Sequence, residues 1–161
     1  MPISEASQEI SLALDNDIFT HWRSQQPYAL KAIAEYQTRH KIIPALTSTT
    51  IFETLSGIEA EACKSTGEAN ERIKQARIRV EPLIRNCIVL PFDQNAAAIA
   101  AYIFPRLSQA NRNKHWRDVF IAATVLAHGY GLATRNKRDF ELIAIHLPPS
   151  HSTLPLAVWT P

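Results

Sequence analysis

The chain has 161 residues, 46% of them hydrophobic, with 17 basic against 15 acidic side chains and a formal charge of +2. That is the size of one ordinary domain with enough apolar mass to bury a core, which excludes a disordered chain. The mild charge excludes nucleic-acid binding driven by net charge alone, so any such role must rest on local patches.

The opening "MPISEASQEI" lacks a basic-then-apolar targeting pattern. No apolar run reaches the roughly 20 residues a membrane span needs. Cys63 and Cys87 stand far apart and in no paired motif. They read as reduced thiols rather than a disulfide framework or a zinc knuckle. These features lead us to expect a soluble, cytoplasmic protein forming a single domain over 1–161, with its core over about 11–159.

In chain order, "SLAL" (11–14) reads as a short buried strand closed by Asp15. "PYALKAIAEYQTR" has apolar residues at helical spacing. "PALTST" reads as a second strand and "IFETLSGIEAEA" as the helix after it. "EANERIKQARIRVEPLIRN" is a long, charged, amphipathic helix that Pro82 should kink or interrupt. "CIVLPF" is a third strand, followed by the helix "DQNAAAIAAYIFPRL" with Asp93 as N-cap. "DVFIAATVLAH" is an apolar helix begun by Asp118 and stopped by Gly129 and Gly131. "GLATRN" is a fourth strand with its exit, "KRDFELI" a short helix and "LAVW" a fifth strand. Strands alternating with helices predict an α/β fold, a mainly parallel, roughly five-stranded sheet sandwiched between helices. A helix apolar on all sides then has a reason, because such a sandwich surrounds it.

The acids fall at telling places. Asp15 and Asp17 follow the first strand, Glu53 lies in the first turn after the second, and Asp139 follows the fourth. Those positions share the carboxyl edge of the sheet, where sites form in open α/β folds. Asp118 opens the apolar helix. Carboxylates gathered there repel one another, and a divalent ion relieves the repulsion. Mg²⁺ and Mn²⁺ favour oxygen ligands and support phosphodiester hydrolysis.

Each acid also has a structural alternative. Asp15 and Asp17 can serve as caps, and Asp118 as the N-cap of its helix. Thr50 and Glu53 have capping-box spacing. Asp139 can be a solvated surface acid. Arg112, Lys114, Arg117, Arg135, Lys137 and Arg138 neighbour the acids and can hold RNA phosphates or simply form a charged face. His115 and Trp116 can stack on a base or pack near a helix start.

"LALDNDIF", "TSTTIFETLSGIE", "RDVFIAATVLAHGYGLATRNKRDFELI" and the closing "LAVW" together resemble PIN domains, most of all the VapC toxins of bacterial toxin–antitoxin pairs. The third stretch is the most specific. The resemblance implies a PIN-like α/β/α sandwich and a Mg²⁺- or Mn²⁺-dependent endoribonuclease. It carries the family's acids over to Asp15, Glu53, Asp118 and Asp139 as catalytic metal ligands, with Asp17, Thr134 and Asn136 supporting them. Beside an RNA-cutting site, the neighbouring Arg117, Arg135, Lys137 and Arg138 are the candidates for RNA contact. It also implies an inhibiting antitoxin and a homodimer. Three features depart from the pattern: extra residues before the first strand, a long middle helix region, and a basic, aromatic approach "NRNKHWRD" to Asp118. Two alternatives stand beside this reading. One is an Asp-x-Asp phosphohydrolase that uses Asp15 as phosphoryl acceptor; the other is a PIN-fold binding module with an inactive site.

Overall fold

The computed structural model describes residues 10–64 and 67–161, so the N-terminal stretch read above for a targeting pattern lies almost wholly outside it. Five short strands build the sheet: β1 (Leu12–Leu14), β2 (Ala45–Thr47), β3 (Val89–Leu90), β4 (Gly131–Thr134) and β5 (Leu156–Val158). They lie in the order β3-β2-β1-β4-β5, and every pairing is parallel. Among the described residues seven α-helices accompany them: α1 (Asn16–Arg23), α2 (Pro27–His40), α3 (Ser48–Lys64), α4 (Glu68–Asn86), α5 (Gln94–Ile103), α6 (Gln109–Ala127) and α7 (Lys137–Ala144). No helix among the described residues is long and apolar enough to cross a membrane.

Strand side chains point alternately to opposite faces, and this divides the core in two. Ala13, Ala45, Leu90 and Leu132 pack with Ile103, Val119, Ile121 and Phe140 of α5, α6 and α7. Leu14, Leu46 and Ala133 pack with Ile18, Phe19, Ile33, Ile58 and Val80 from α1 to α4. The predicted α/β/α sandwich is therefore present, with the sheet as its middle layer. Phe140 is 1% exposed and sits next to Asp139 on α7. Phe140→Ala is expected to destabilise the fold by about 3–5 kcal/mol, read by urea unfolding.

The end of α6 follows the glycine reading. Gly129 takes φ +70°, with its N–H bonded to Leu126 O and the Tyr130 N–H to Val125 O, a Schellman closure. Gly131 has a different reason. A Cβ there would lie 3.0 Å from Leu12 Cδ2 and 3.1 Å from the Pro155 carbonyl, so the neighbouring chains approach closely only because it has none.

Three elements depart from the sequence reading. The helix α1 was not anticipated; its Ile18 and Phe19 are fully buried, so a short segment with few apolar residues is held by tertiary packing. The α4 helix runs through Pro82 to Asn86 without interruption. Pro82 and Ile78 are both exposed, so the carbonyl that proline leaves unpaired meets water. Asp118 does not begin α6: the helix starts at Gln109, capped by the Ser108 hydroxyl accepting from the Asn111 N–H, and bends at His115 (φ −113°, ψ 16°).

Candidate active site

The sheet order reverses at β1 and β4, since the chain moves outward from β1 to β3 before returning beside β1. Ligands of open α/β sheets bind at the carboxyl edge of such a switch point. Asp15 stands there. Its backbone N–H donates to Ala133 O at 2.9 Å, tying the end of β1 to β4. Its side chain, 6% exposed, caps α1: Oδ1 accepts from the Asn16 N–H at 2.7 Å, and Oδ2 accepts from the Thr134 hydroxyl at 2.8 Å. Thr134 Oγ1 in turn accepts from the Asn136 N–H at 2.9 Å. With both oxygens engaged and little exposure, Asp15 is a poor covalent phosphoryl acceptor, which weakens the phosphohydrolase alternative. Thr134→Val strands a buried carboxylate oxygen, and a stability loss of about 1–3 kcal/mol is expected in chemical denaturation.

Glu53 projects from α3. The start of that helix is fixed by Thr47, whose hydroxyl oxygen accepts from the Thr50 N–H at 3.0 Å. The Thr50 hydroxyl donates to Leu14 O at 3.2 Å and so docks α3 on the end of β1. The capping-box alternative for Glu53 is thereby overturned, because the Thr50 N–H already has its partner and α3 begins before it. Instead Glu53 faces Arg117, Oε1 to Nε, at 3.6 Å.

Asp118 lies one turn beyond the bend in α6, and Asp139 lies in the first turn of α7. His115 stands between them. Its Nδ1 is 2.8 Å from Asp118 Oδ2 and 3.7 Å from Asp139 Oδ2. One donor atom from each of the three lies within 4.8 Å of the others, the one such group of metal-ligating side chains among the described residues. The side-chain amide of Asn136 donates to Asp139 Oδ2 and holds it in place. Asp15 and Glu53 are not members of that tight group. They act on Asp118 through charge.

The electrostatics record that convergence. Burial above all, then the charges of Asp118 and Asp17, pushes the Asp15 carboxyl up to about 6 against the two hydrogen bonds that lower it. Burial, with the charges of Asp15, Asp118 and Asp17, pushes Glu53 up to about 7 although Arg117 pulls the other way. Asp118 is raised by burial and by Asp139 and Asp17, opposed by His115. Carboxyls that raise one another's proton affinity form a site short of positive charge. Such an oxygen-rich set suits a hard divalent cation.

The sequence pattern of the PIN domain family matches residues 13–145. The chain belongs to the PIN-domain family. No curated protein matches it. This PIN domain has the fold of several solved structures. It is similar to a chain of VapBC2 from Rickettsia felis bound to a DNA fragment from the promoter, at 18% identity and TM-score 0.70, covering 94% of this chain and 100% of that one. It is similar to DNA-bound VapBC from Salmonella typhimurium at 21% identity and TM-score 0.67, covering 94% and 99%. VapBC-1 from nontypeable Haemophilus influenzae matches at 20% identity and TM-score 0.67, covering 94% and 100%. At such identities the likeness is one of fold.

The predicted basic residues of this PIN domain are placed differently, and only Arg117 and Arg138 lie beside a site acid. Arg117 pairs with Glu53 and lies 4.8 Å over the Trp116 ring. Arg135 approaches His21, Nη1 to Nε2, at 3.3 Å. Lys137 pairs with Glu141 at 3.4 Å. Arg138 lines a groove of ≈ 630 Å³ with Lys114, His115 and Asp139. Asp17 is exposed in the first turn of α1 and acts on the other acids through its charge. The side chain beside the acids that sequence reasoning did not count among the candidate metal donors is His115, 3% exposed. Its signal was its spacing, three residues before Asp118, which puts both on one helical face. That signal was hidden because Asp118 was read as the helix start.

Proposed function

We propose that this PIN domain is a Mg²⁺- or Mn²⁺-dependent endoribonuclease, a toxin of the VapC kind restrained by an antitoxin that binds it. The convergence of Asp15, Glu53, Asp118 and Asp139 at the switch point of a PIN fold carries this reading. When bound, a divalent cation activates water and stabilises charge on the phosphate. Asp118 and Asp139 are the acids brought into ligand reach of each other's neighbour His115, and Asp15 and Glu53 complete the negative field that would hold the ion. Thr134 orients Asp15, and Asn136 orients Asp139. Arg117, Arg135, Lys137 and Arg138 would grip RNA phosphates on either side. Water oxygen bonds to phosphorus, the bond to the 3′ oxygen breaks, and the products carry a 3′-hydroxyl and a 5′-phosphate.

The structures it resembles are VapBC complexes, which supports an antitoxin partner for this chain. A homodimer belongs to the same proposal. The exposed Phe52 beside Trp116 and Phe120 offers apolar surface for association. The test is incubation of a mixed RNA pool with the purified protein and Mn²⁺, with an EDTA control. Cleavage only with Mn²⁺, leaving 3′-hydroxyl ends, is expected. Folded protein that binds no Mn²⁺ and cuts nothing would sink the proposal in favour of a binding module.

A further inference from the structure

His115 is the one nitrogen donor in a site otherwise made of carboxylates. It is almost wholly buried, yet its ring is not packed only against apolar side chains. Its Nδ1 faces Asp118 Oδ2 at 2.8 Å and Asp139 Oδ2 at 3.7 Å, from two different helices. Ligands held about 2.1 Å from one ion are separated by roughly 2.8–4.2 Å, the span from a compressed edge to opposite corners of the coordination shell. Both observed separations fall inside that span.

A simple ion pair explains less of this arrangement. It needs one carboxylate beside the ring, whereas two converge on the same nitrogen. The second carboxylate is itself held by Asn136, so it is aimed rather than drifting. The groove beside His115 and Asp139 provides access from solvent.

We propose that His115 Nδ1 is a direct ligand of the divalent ion that Asp118 and Asp139 hold, and that it biases the site toward Mn²⁺ over Mg²⁺. The inference rests on the metal-dependent reading above and deepens it. Imidazole nitrogen suits transition-metal ions, while Mg²⁺ keeps to oxygen ligands and water. An all-carboxylate site would lack that discrimination. His115 therefore shifts the balance toward Mn²⁺ when both ions are offered at equal concentration.

The test uses the intact chain loaded with Mn²⁺ and examined by pulsed electron paramagnetic resonance for ¹⁴N coupling. Calorimetric titrations with Mn²⁺ and with Mg²⁺ accompany it, for the natural chain and for His115→Gln. A ligated-imidazole ¹⁴N signal is expected in the natural chain. His115→Gln should lose that signal and bind Mn²⁺ at least about tenfold more weakly, with Mg²⁺ binding changed less than about threefold. The spectrum of the natural chain decides the matter even if the variant does not fold. Mn²⁺ that binds without ¹⁴N coupling, or a Mn²⁺/Mg²⁺ preference unchanged in His115→Gln, overturns the assignment and leaves His115 as a hydrogen-bonding support of Asp118. If Mn²⁺ does not bind at all, the metal-dependent reading falls with it. If cleavage requires Mn²⁺ but no nitrogen is seen, only the His115 ligand falls.

Discussion

Asp118→Asn is expected to lower RNA cleavage by more than about 100-fold while leaving the chain folded. Residues that only orient metal ligands are worth about 10–100-fold, so a ligand itself should be worth more. Asparagine keeps the shape of the side chain and its reach to His115, and it removes one charge from a crowded set. Asp118 is already pushed up by burial and by Asp139 and Asp17, so losing that charge relieves repulsion in the folded state. The thermal midpoint should therefore hold or rise. Asp93→Asn is the matching control. Asp93 caps α5 by accepting from the Ala96 N–H at 2.9 Å, a role asparagine fills equally well. Its cleavage rate should stay at the natural level. The measurement is initial rate on a fluorescent RNA under excess Mn²⁺, with circular dichroism on each variant. Cleavage retained by Asp118→Asn would remove the carboxylate site from the mechanism.

The second large effect is on stability. Free of metal, the protein should lose stability as pH rises from about 4 to about 7, and Mn²⁺ should restore it at the upper end. Asp15 holds its proton to about 6 instead of 3.8, and Glu53 to about 7 instead of 4.5. Through that window the folded chain binds more protons than the unfolded one, so each step up in pH favours unfolding. The loss is complete once pH passes the folded values, and it is recovered as pH falls toward the unfolded ones. Asp15 alone corresponds to roughly 3 kcal/mol, an upper figure because neighbouring acids share the effect. A divalent ion bound only by the folded site adds stability that grows with its concentration. Thermal melts in EDTA and in Mn²⁺ across this range provide the measurement. A midpoint in EDTA that climbs with pH, or one that Mn²⁺ does not move at the upper end, would contradict the site described here.

Much of this site was legible because its parts are local. The stretch from Asp118 to Asp139 carries its own strand, helix caps and turn. The Schellman closure at Gly129 follows from glycine's tolerance of positive φ, whereas the place of Asp118 inside α6 rather than at its start does not show locally. Asp93 as a cap was legible for the same reason. The helix α1 was not, because Asp15 and Asp17 were read as strand-end acids or caps without a helix after them; the structure shows Asp15 capping α1 and Ile18 and Phe19 packed with residues of α2, α3 and α4. The start of α6 was also hidden. Its first half, "QANRNKHWRD", is polar and shows no apolar period, and the bend at His115 gives no sequence mark.

The sequence by itself determined the alternation of strand and helix, the parallel sheet and the acids along its edge, because side-chain spacing and turn chemistry act within a few residues. Only the tertiary structure decided that the sheet order turns at β1 and β4, and that Asp15, Glu53, Asp118 and Asp139, from distant segments, come near enough to act on one another through charge. It alone set how strongly burial raises the acids' hold on their protons, and it alone placed the His115 ring between two carboxylates. Those outcomes depend on which faces pack together and how much water they exclude, and the spacing of residues along a chain does not encode either one locally.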